Sequence, residues 1–254
     1  MKPKGSVAVR TLRLSQSWII AAKDLKTFRK NKGIVYLVVF IPLFVAILIP
    51  AVIGFIGQRK SPAELVVLLP AFLFFYVILG SYLSTPIASY TIAGEKVEKS
   101  LEPLLATPTT DGEILLGKGI AAFLPPLAAV LGGSALFMLL MDLTTKGRLG
   151  YYYFPDWNSA IVILLLLPLA LLMSVQMNVI MSSRVTDVRA GQQLGGLTVV
   201  PFIGVYVAGE LDLINLGDTT NLVIIAGALV VVDVLLFFVS TAAFHREEIL
   251  TKWK

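Results

Sequence analysis

The sequence contains no cysteine and a single histidine, His245. These absences exclude disulfide bonds, thiol nucleophiles and any metal site built from several cysteine or histidine ligands. Charged residues are also scarce, at 15% of the 254 residues, whereas hydrophobic residues make up 57%. Soluble globular domains contain about 45–50% apolar residues. The composition therefore indicates a chain that folds in lipid rather than in water.

The net charge of +5 does not indicate a nucleic-acid-binding protein. Such proteins carry a solvated basic stripe interleaved with aromatic residues, whereas here the basic excess lies in a terminal tail. A cleavable signal peptide is not expected either. The first hydrophobic span begins near Gly33 behind a long charged segment, and no small-residue cleavage motif follows it closely. We expect membrane lipid, and no nucleic acid, as a partner.

Long apolar segments predict an all-α integral membrane fold. A helix needs about 20 apolar residues to cross about 30 Å of hydrocarbon. Five segments reach that length: residues 34–56, 65–88, 119–141, 160–181 and 222–244. A sixth span is predicted over residues 188–208, with a polar cytoplasmic start before the apolar stretch. The patchy segment 209–220 contains Glu210, Asp212 and Asp218 among leucines, which favours an external re-entrant segment.

The distribution of basic residues predicts the orientation of these six helices. Cytoplasmic segments of membrane proteins carry an excess of lysine and arginine. With a cytoplasmic N-terminus, 17 of the 21 Lys and Arg residues lie inside and 4 lie outside. We therefore expect six spans in a single transmembrane domain covering residues 1–254, with both termini in the cytoplasm and the protein in the plasma membrane.

The N-terminal residues 1–33 contain an amphipathic pattern. Trp18, Ala22, Leu25 and Phe28 recur at helical spacing, and lysines and arginines occupy the other faces. This pattern is typical of a helix that lies in the membrane interface. The alternative is a helical extension of the first span with basic anchors.

The segment that joins the second and third spans, residues 94–118, reads GEKVEKSLEPLLATPTTDGEILLGK. Ser100 can cap a short helix that Thr107 and Pro108 end, and Thr110 with Glu113 is a capping box for the next helix. The short helix would carry leucines on one face, at positions Leu101, Leu104 and Leu105.

Acidic residues accompany these leucines on a side of the membrane where basic residues are usual. They are Glu95, Glu98 and Glu102. A docking surface for another protein explains both the apolar face and the acidic groups. An amphipathic hairpin in the membrane plane would also bury the leucines.

This segment resembles the ABC-2 family of ATP-binding-cassette permeases, whose members carry a cytoplasmic stretch similar to GER-E-x-GTLE-x-LLATP with an ILxGK-like end. The matching positions are Gly94, Glu95, Leu101, Glu102, Leu104, Leu105, Ala106, Thr107, Pro108, Ile114, Gly117 and Lys118. The chain departs from the pattern at Lys99 and Ser100, which replace the usual Gly-Thr pair.

The resemblance implies the permease subunit of an exporter, working as a homodimer or heterodimer that moves substrate between its two subunits. A cytoplasmic ATPase subunit would bind ATP and Mg²⁺ and dock on a coupling helix, and this chain would hold no cofactor and no catalytic site. The residues implied to couple to the ATPase are Glu95, Glu98, Leu101, Glu102, Leu104, Leu105, Thr107 and Pro108.

The same region contains a false phosphate-binding motif. Residues 112–119 read GEILLGKG, close to the G-x-x-x-x-G-K-[ST] loop. Gly119 replaces the hydroxyl residue that holds Mg²⁺, no strand is predicted before the motif, and a membrane span follows at once. We therefore reject ATP binding at this position.

Polar residues inside the spans are candidates for translocation or helix packing. Asp233 lies near the middle of the last span, where an ionisable group costs at least about 2.5 kcal/mol. Gln176 and Asn178 lie two residues apart in the fourth span and so face different sides of a helix. At least one of the two is expected to join helices. Gly132 and Gly133 would permit a close helix contact.

Two other functional classes are weighed against the exporter. A secondary transporter or channel would use Asp233, Glu210 and Asp212 to bind an ion, but the sequence shows no inverted repeat of broken helices. A membrane-embedded enzyme needs convergent acid and base groups or metal ligands, which one histidine and one mid-membrane aspartate do not supply. An ATPase gene beside this one would favour the exporter.

Overall fold

A computed structural model describes residues 14–56, 61–91, 109–185, 188–211 and 213–243. These residues are overwhelmingly helical, and no strand occurs among them. The helices are α1 (Leu14–Lys30), α2 (Lys32–Ile56), α3 (Pro62–Ser89), α4 (Asp111–Leu149), α5 (Trp157–Ile161), α6 (Leu167–Arg184), α7 (Val188–Gly196), α8 (Val200–Glu210) and α9 (Thr219–Ala243). A π-helical turn, Val162–Leu166, joins α5 to α6, and a 3-10 turn, Leu197–Val199, joins α7 to α8.

Within the residues that the structure describes, five helices are long and apolar enough to cross a membrane, which confirms the all-α integral membrane fold. They are Lys32–Phe55, Pro62–Ser89, Gly112–Leu149, Trp157–Ser182 and Thr219–Thr241. Each contains or closely overlaps one of the five long apolar segments. The sixth span stays a prediction, although the described chain is helical throughout residues 188–210.

Short polar motifs set the starts of the helices. Ser61 accepts a hydrogen bond from the Glu64 amide at the start of α3. At the start of α4, the Thr110 amide donates to the Glu113 carboxylate at 2.8 Å, and the Glu113 amide donates to the Thr110 hydroxyl at 3.2 Å. This reciprocal pair confirms the predicted capping box. Gly150 ends α4 with a φ of 79°, a conformation that favours glycine.

Helix α4 is longer than the predicted span 119–141. It contains 39 residues, a length of about 58 Å at 1.5 Å per residue, against about 30 Å of hydrocarbon. The capping box extends it at one end and Gly150 closes it at the other. The helix therefore reaches well beyond a single membrane crossing.

Helix α3 forms the centre of the molecule, and it packs against α2, α4, α6, α7 and α8. Its Phe74 and Tyr76 are fully buried. The Tyr76 hydroxyl donates to the Pro42 carbonyl in α2 at 3.3 Å. A Cβ on Gly133 would lie 2.7 Å from the Pro42 Cβ, so this glycine allows α2 and α4 to touch, as the sequence predicts. Gly132 faces open space.

Helix α1 forms as expected, and the face that it packs against the protein shares only Phe28 with the stripe predicted to lie in the membrane interface. Trp18 is 55% exposed, and Ala22 and Leu25 are only half-buried. The buried stripe is Ser17, Ile20, Ala21, Asp24 and Phe28. This stripe packs on α4. The contact with α4 therefore sets which face of α1 is buried. The interfacial location of α1 stays a prediction.

The segment between α8 and α9 is compact. Its described residues, 211 and 213–218, form turns and bends rather than a helix. The Leu216 side chain is buried beneath Gly209, where an added Cβ would lie 2.5 Å from the Leu216 Cδ1. The predicted re-entrant position of residues 209–220 in the membrane stays a prediction.

Candidate functional site

The predicted coupling residues lie outside the described part of the chain. They are Glu95, Glu98, Leu101, Glu102, Leu104, Leu105, Thr107 and Pro108. The described residues on either side are Thr91, after the end of α3, and Thr109, before the cap of α4. We use the term junction for these two flanks, the end of α3 and the start of α4.

A single lysine connects the elements around this junction. Lys118 lies on α4 and its side chain is fully buried. Its Nζ donates to the Thr91 carbonyl at 2.6 Å and forms an ion pair with the Asp24 carboxylate of α1 at 3.5 Å. A cation at the C-terminus of a helix satisfies a carbonyl and complements the helix dipole. Lys118 therefore holds the end of α3, the start of α4 and the middle of α1 in one cluster.

Gly117, beside Lys118, lets α1 approach closely. A Cβ at this position would lie 2.6 Å from the Ser17 carbonyl oxygen and 2.8 Å from the Ile20 Cβ. The backbone of α1 therefore lies directly against α4, which leaves no room for a side chain. This close approach brings Asp24 within reach of Lys118.

Sequence reasoning did not identify the Asp24–Lys118 pair. In the sequence, Gly117 and Lys118 match only the end of a motif, and the amphipathic pattern of α1 gives no role to Asp24. One signal was available, because Ile20, Asp24 and Phe28 recur at helical spacing. An acidic residue within an apolar stripe indicates a buried charge that needs a partner.

Comparison with protein-family models places most of the chain in a known family. Residues 15–206 match the model described as ABC-2 type transporter. The chain belongs to the ABC-2 type transporter family. A search of curated proteins finds no match. The matched range runs from α1 into α8 and includes the whole junction around Lys118.

Membership identifies the chain as the membrane domain of an ABC-type transport system, a transporter component that is not itself catalytic. The geometry of the false phosphate-binding motif agrees with this role. Gly112–Gly119 forms the first turns of α4 rather than a loop. The Lys118 ammonium is engaged by Asp24 and Thr91 and does not face a phosphate site.

Asn178 is the centre of a buried polar seam between α3 and α6 of this ABC-2 membrane domain. Its amide nitrogen donates to the Thr85 hydroxyl at 3.2 Å and to the Ser174 carbonyl at 2.8 Å. Its amide oxygen accepts from the Ser89 hydroxyl at 3.2 Å. Ser174 in turn bonds the Thr198 hydroxyl at 2.9 Å. Asn178 thus makes side-chain hydrogen bonds that join α6 to α3.

Gln176 points to a different side of α6, as its spacing from Asn178 predicts. It lines an apolar groove of about 200 Å³ between α4, α6 and α9. The other lining residues are Leu115, Leu116, Gly119, Ile120, Phe123, Leu172, Val175, Val179, Phe237 and Ser240. Its Oε1 is buried and has no hydrogen-bond partner among the described residues.

Asp233 lies on the inner stripe of α9, which packs mainly on α6. The stripe repeats at helical spacing through Leu222, Ala226 and Leu229, and Asp233 itself is buried. Neither carboxylate oxygen has a hydrogen-bond partner within the described residues. Burial without a partner is costly for an ionised carboxylate. Within the described residues, the Asp233 carboxylate and the Gln176 Oε1 thus have no hydrogen-bond partner, whereas the Asn178 amide is bonded.

Proposed function

We propose that this chain is the permease subunit of an ATP-binding-cassette exporter. Two copies, or this chain and a related one, would form the translocation path in the plasma membrane, driven by a separate cytoplasmic ATPase that binds ATP and Mg²⁺. The match of residues 15–206 to the ABC-2 type transporter model carries this proposal. The exporter direction follows from the resemblance of segment 94–118 to ABC-2 permeases.

The proposed topology has six spans with both termini in the cytoplasm. Contacts along residues 188–210 support the additional span. Gly191 approaches Ser89, with an added Cβ 3.6 Å from the Ser89 Cβ. Further along, the Tyr206 and Phe75 rings lie 6.2 Å apart between centroids. From 191 to 206 the chain thus runs antiparallel to α3 over 15 residues, a rise of about 23 Å.

Cysteine labelling tests this topology, because the native chain has no thiol of its own. Lys146 and Arg189 are both exposed, near the outer end of α4 and on α7 respectively. We expect Lys146→Cys to react with an impermeant thiol reagent added outside intact cells and Arg189→Cys to react only after permeabilisation. Equal labelling of both from outside would contradict the six-span arrangement.

The coupling surface is proposed to lie in residues 94–118. Its described end supports this, because α4 starts at the junction where α1 and the end of α3 also meet. In the proposed helix, Leu101, Leu104 and Leu105 fill a cleft of the ATPase, and Glu102 meets a basic or hydrogen-bonding group at the rim. The acidic residues Glu95 and Glu98 would extend that rim.

The two kinds of contact are expected to fail differently. Truncation of a buried anchor at an interface can remove about 2 kcal/mol or more of binding. Leu104→Ala should therefore lose the ATPase during purification. Reversal of a rim charge mainly slows association and makes it salt-dependent, so Glu102→Arg should retain the ATPase at low salt and lose it as salt rises.

The measurement is co-purification of an ATPase of this class with each variant, with ATP hydrolysis in reconstituted membranes as the second readout. A matched control is Leu143→Ala, an exposed leucine near the outer end of α4. It should leave the ATPase bound. If Leu104→Ala and Glu102→Arg both bind the ATPase as the native chain does, the segment is not the docking element.

Ion-coupled transport through Asp233, Glu210 and Asp212 is the alternative function. Among the described residues, no group of three or more His, Cys, Asp or Glu side chains converges on one site. Transport that follows an imposed ion gradient without ATP, and that is lost in Asp233→Asn, would favour this alternative over the exporter.

A further inference from the structure

The junction around Lys118 suggests how movement enters the membrane domain once an ATPase has docked. Segment 92–108 lies outside the described residues, and Thr91 and Thr109 are the described residues on its two sides. The Lys118 ammonium contacts the Thr91 carbonyl on the first side. Lys118 itself lies on the helix that Thr110 and Glu113 cap on the second side. One side chain thus connects both ends of the segment.

The same ammonium reaches a third element, because Asp24 of α1 is its ion-pair partner. Apolar packing between α1 and α4 through Ile20, Ala21 and Phe28 is non-directional and holds the helices together without fixing their register. A buried charge pair is most favourable in the one register that brings its two charges together. The Gly117 contact with the Ser17 carbonyl keeps the two backbones close enough for the pair to form.

We infer that Lys118 is the positioning residue that makes α1 move together with segment 92–108. This inference rests on the proposed function. In it, a displacement of the segment by the ATPase pulls on the Thr91 carbonyl and on the start of α4, and the Asp24–Lys118 pair carries that displacement into α1. The apolar contacts alone would keep α1 attached but would let it slide along α4.

The first test needs no ATPase and measures whether the pair holds α1 in place. Ala21 is fully buried against α4 and Lys26 is exposed. In purified chains that are otherwise native, the cysteine of Ala21→Cys should react slowly with a thiol reagent and that of Lys26→Cys should react quickly. Lys118→Met leaves Asp24 without its ammonium partner and should speed the labelling of Ala21→Cys. The double variant Asp24→Asn, Lys118→Met removes both charges and should restore slow labelling.

Glycine substitutions supply a steric version of this test. Gly117→Ala places a methyl group against the Ser17 carbonyl and should speed the labelling of Ala21→Cys. Gly119→Ala is the matched control, because an added Cβ there has no neighbour within 4 Å. Labelling of Ala21→Cys that stays slow in both Lys118→Met and Gly117→Ala would overturn the inference.

The second test separates a positioning role from a merely structural one. Spin labels at Lys26 of α1 and at Val231, an exposed residue of α9, report the distance between the two helices. The complex with the co-purified ATPase is measured without nucleotide and after trapping with ATP and vanadate. The native chain should show a change in this distance on trapping. The double variant should show the native distance without nucleotide and lose most of the change.

The outcomes distinguish this inference from the function on which it rests. If the native chain co-purifies with no ATPase, the proposed function fails. If the ATPase binds and the double variant keeps the full native change, the pair is only structural and the inference is overturned. The same holds if the native chain shows no change in distance, because α1 then does not move with the segment.

Discussion

Helix α6 has two sides that treat polar residues differently. Towards α3, Asn178 and Ser174 use their hydrogen-bonding groups on α3 and on the Leu197–Val199 turn. Towards α4 and α9, Gln176 lines an apolar groove with its Oε1 unpaired, and Asp233 on the facing helix α9 has both oxygens unpaired among the described residues. The two sides lie on the same helix, so membrane depth alone does not explain the difference.

The comparison separates polar residues that the fold needs from those that it only tolerates. A bonded group in the membrane fixes how two helices meet, with each bond worth on average about 0.6 kcal/mol and up to about 1.7 kcal/mol. An unpaired buried polar group lowers stability. Helix packing therefore does not explain why such a group is present. The polar groups on the α3 side are therefore structural, whereas helix packing does not require those on the α9 side.

The largest effect is expected at Asn178. Asn178→Leu removes the bonds to Ser89, Thr85 and Ser174 and leaves their groups without this partner, which should lower the free energy of unfolding by about 1–3 kcal/mol. The measurement is unfolding in mixed detergent micelles. A stability equal to that of the native chain would remove the distinction between the two sides of α6.

A similar but smaller loss is expected from Gly195→Ala. A methyl group on Gly195 would overlap the Asn178 amide, so the amide must rotate and lose bonds or α7 must shift, at about 1–2 kcal/mol for an overpacked site. Gly196→Ala is the matched control, because an added Cβ there meets nothing within 4 Å. The same unfolding assay should show a loss only for Gly195→Ala.

At Asp233 the expected sign is reversed. Asp233→Leu removes a buried group without a partner and should raise the free energy of unfolding by about 1 kcal/mol. Asp233→Asn keeps the shape and should largely preserve transport. Loss of transport by Asp233→Asn with normal expression and assembly would assign an ionic role to this carboxylate and sharpen the contrast with Asn178.

The smallest effect is expected at Gln176. Gln176→Leu replaces a neutral amide, whose buried oxygen has no partner among the described residues, with an apolar side chain of similar size, so stability should stay the same or rise by less than about 1 kcal/mol. Gln176→Leu and Asn178→Leu form a matched pair of substitutions on α6, and their free energies of unfolding should be measured in the same assay. A loss as large as that of Asn178→Leu would show that Gln176 is also part of the packing.

Much of the fold follows from local sequence patterns. Five spans could be predicted because about 20 consecutive apolar residues have few alternatives to a transmembrane helix. The start of α4 could be predicted because Thr110 and Glu113 satisfy each other's backbone amides. The spacing of two residues between Gln176 and Asn178 predicts that they face different sides of a helix, but it does not predict which of them bonds to α3.

The face of α1 and its partner could not be predicted in the same way. Apolar residues occur on several sides of α1, among them Trp18, Ile19 and Leu25, so periodicity does not select one face. Gly117 selects it, from a position far along the chain, because only a residue without a side chain admits the α1 backbone. The Asp24–Lys118 pair depends on this non-local contact.

The length of α4 has a mechanical consequence. Lys118 near its N-terminal end holds the junction, and Asp142 near its C-terminal end accepts hydrogen bonds from the Tyr153 and Phe154 amides, both at 3.0 Å. The two residues lie 24 positions apart, a rise of about 36 Å along a helix that contains Pro125 and Pro126. A rigid-body tilt of α4 by about 5° around Lys118 would therefore carry Asp142, and the loop bonded to it, sideways by about 3 Å. A small angular motion at one end of α4 thus becomes a displacement of several ångströms at the other end.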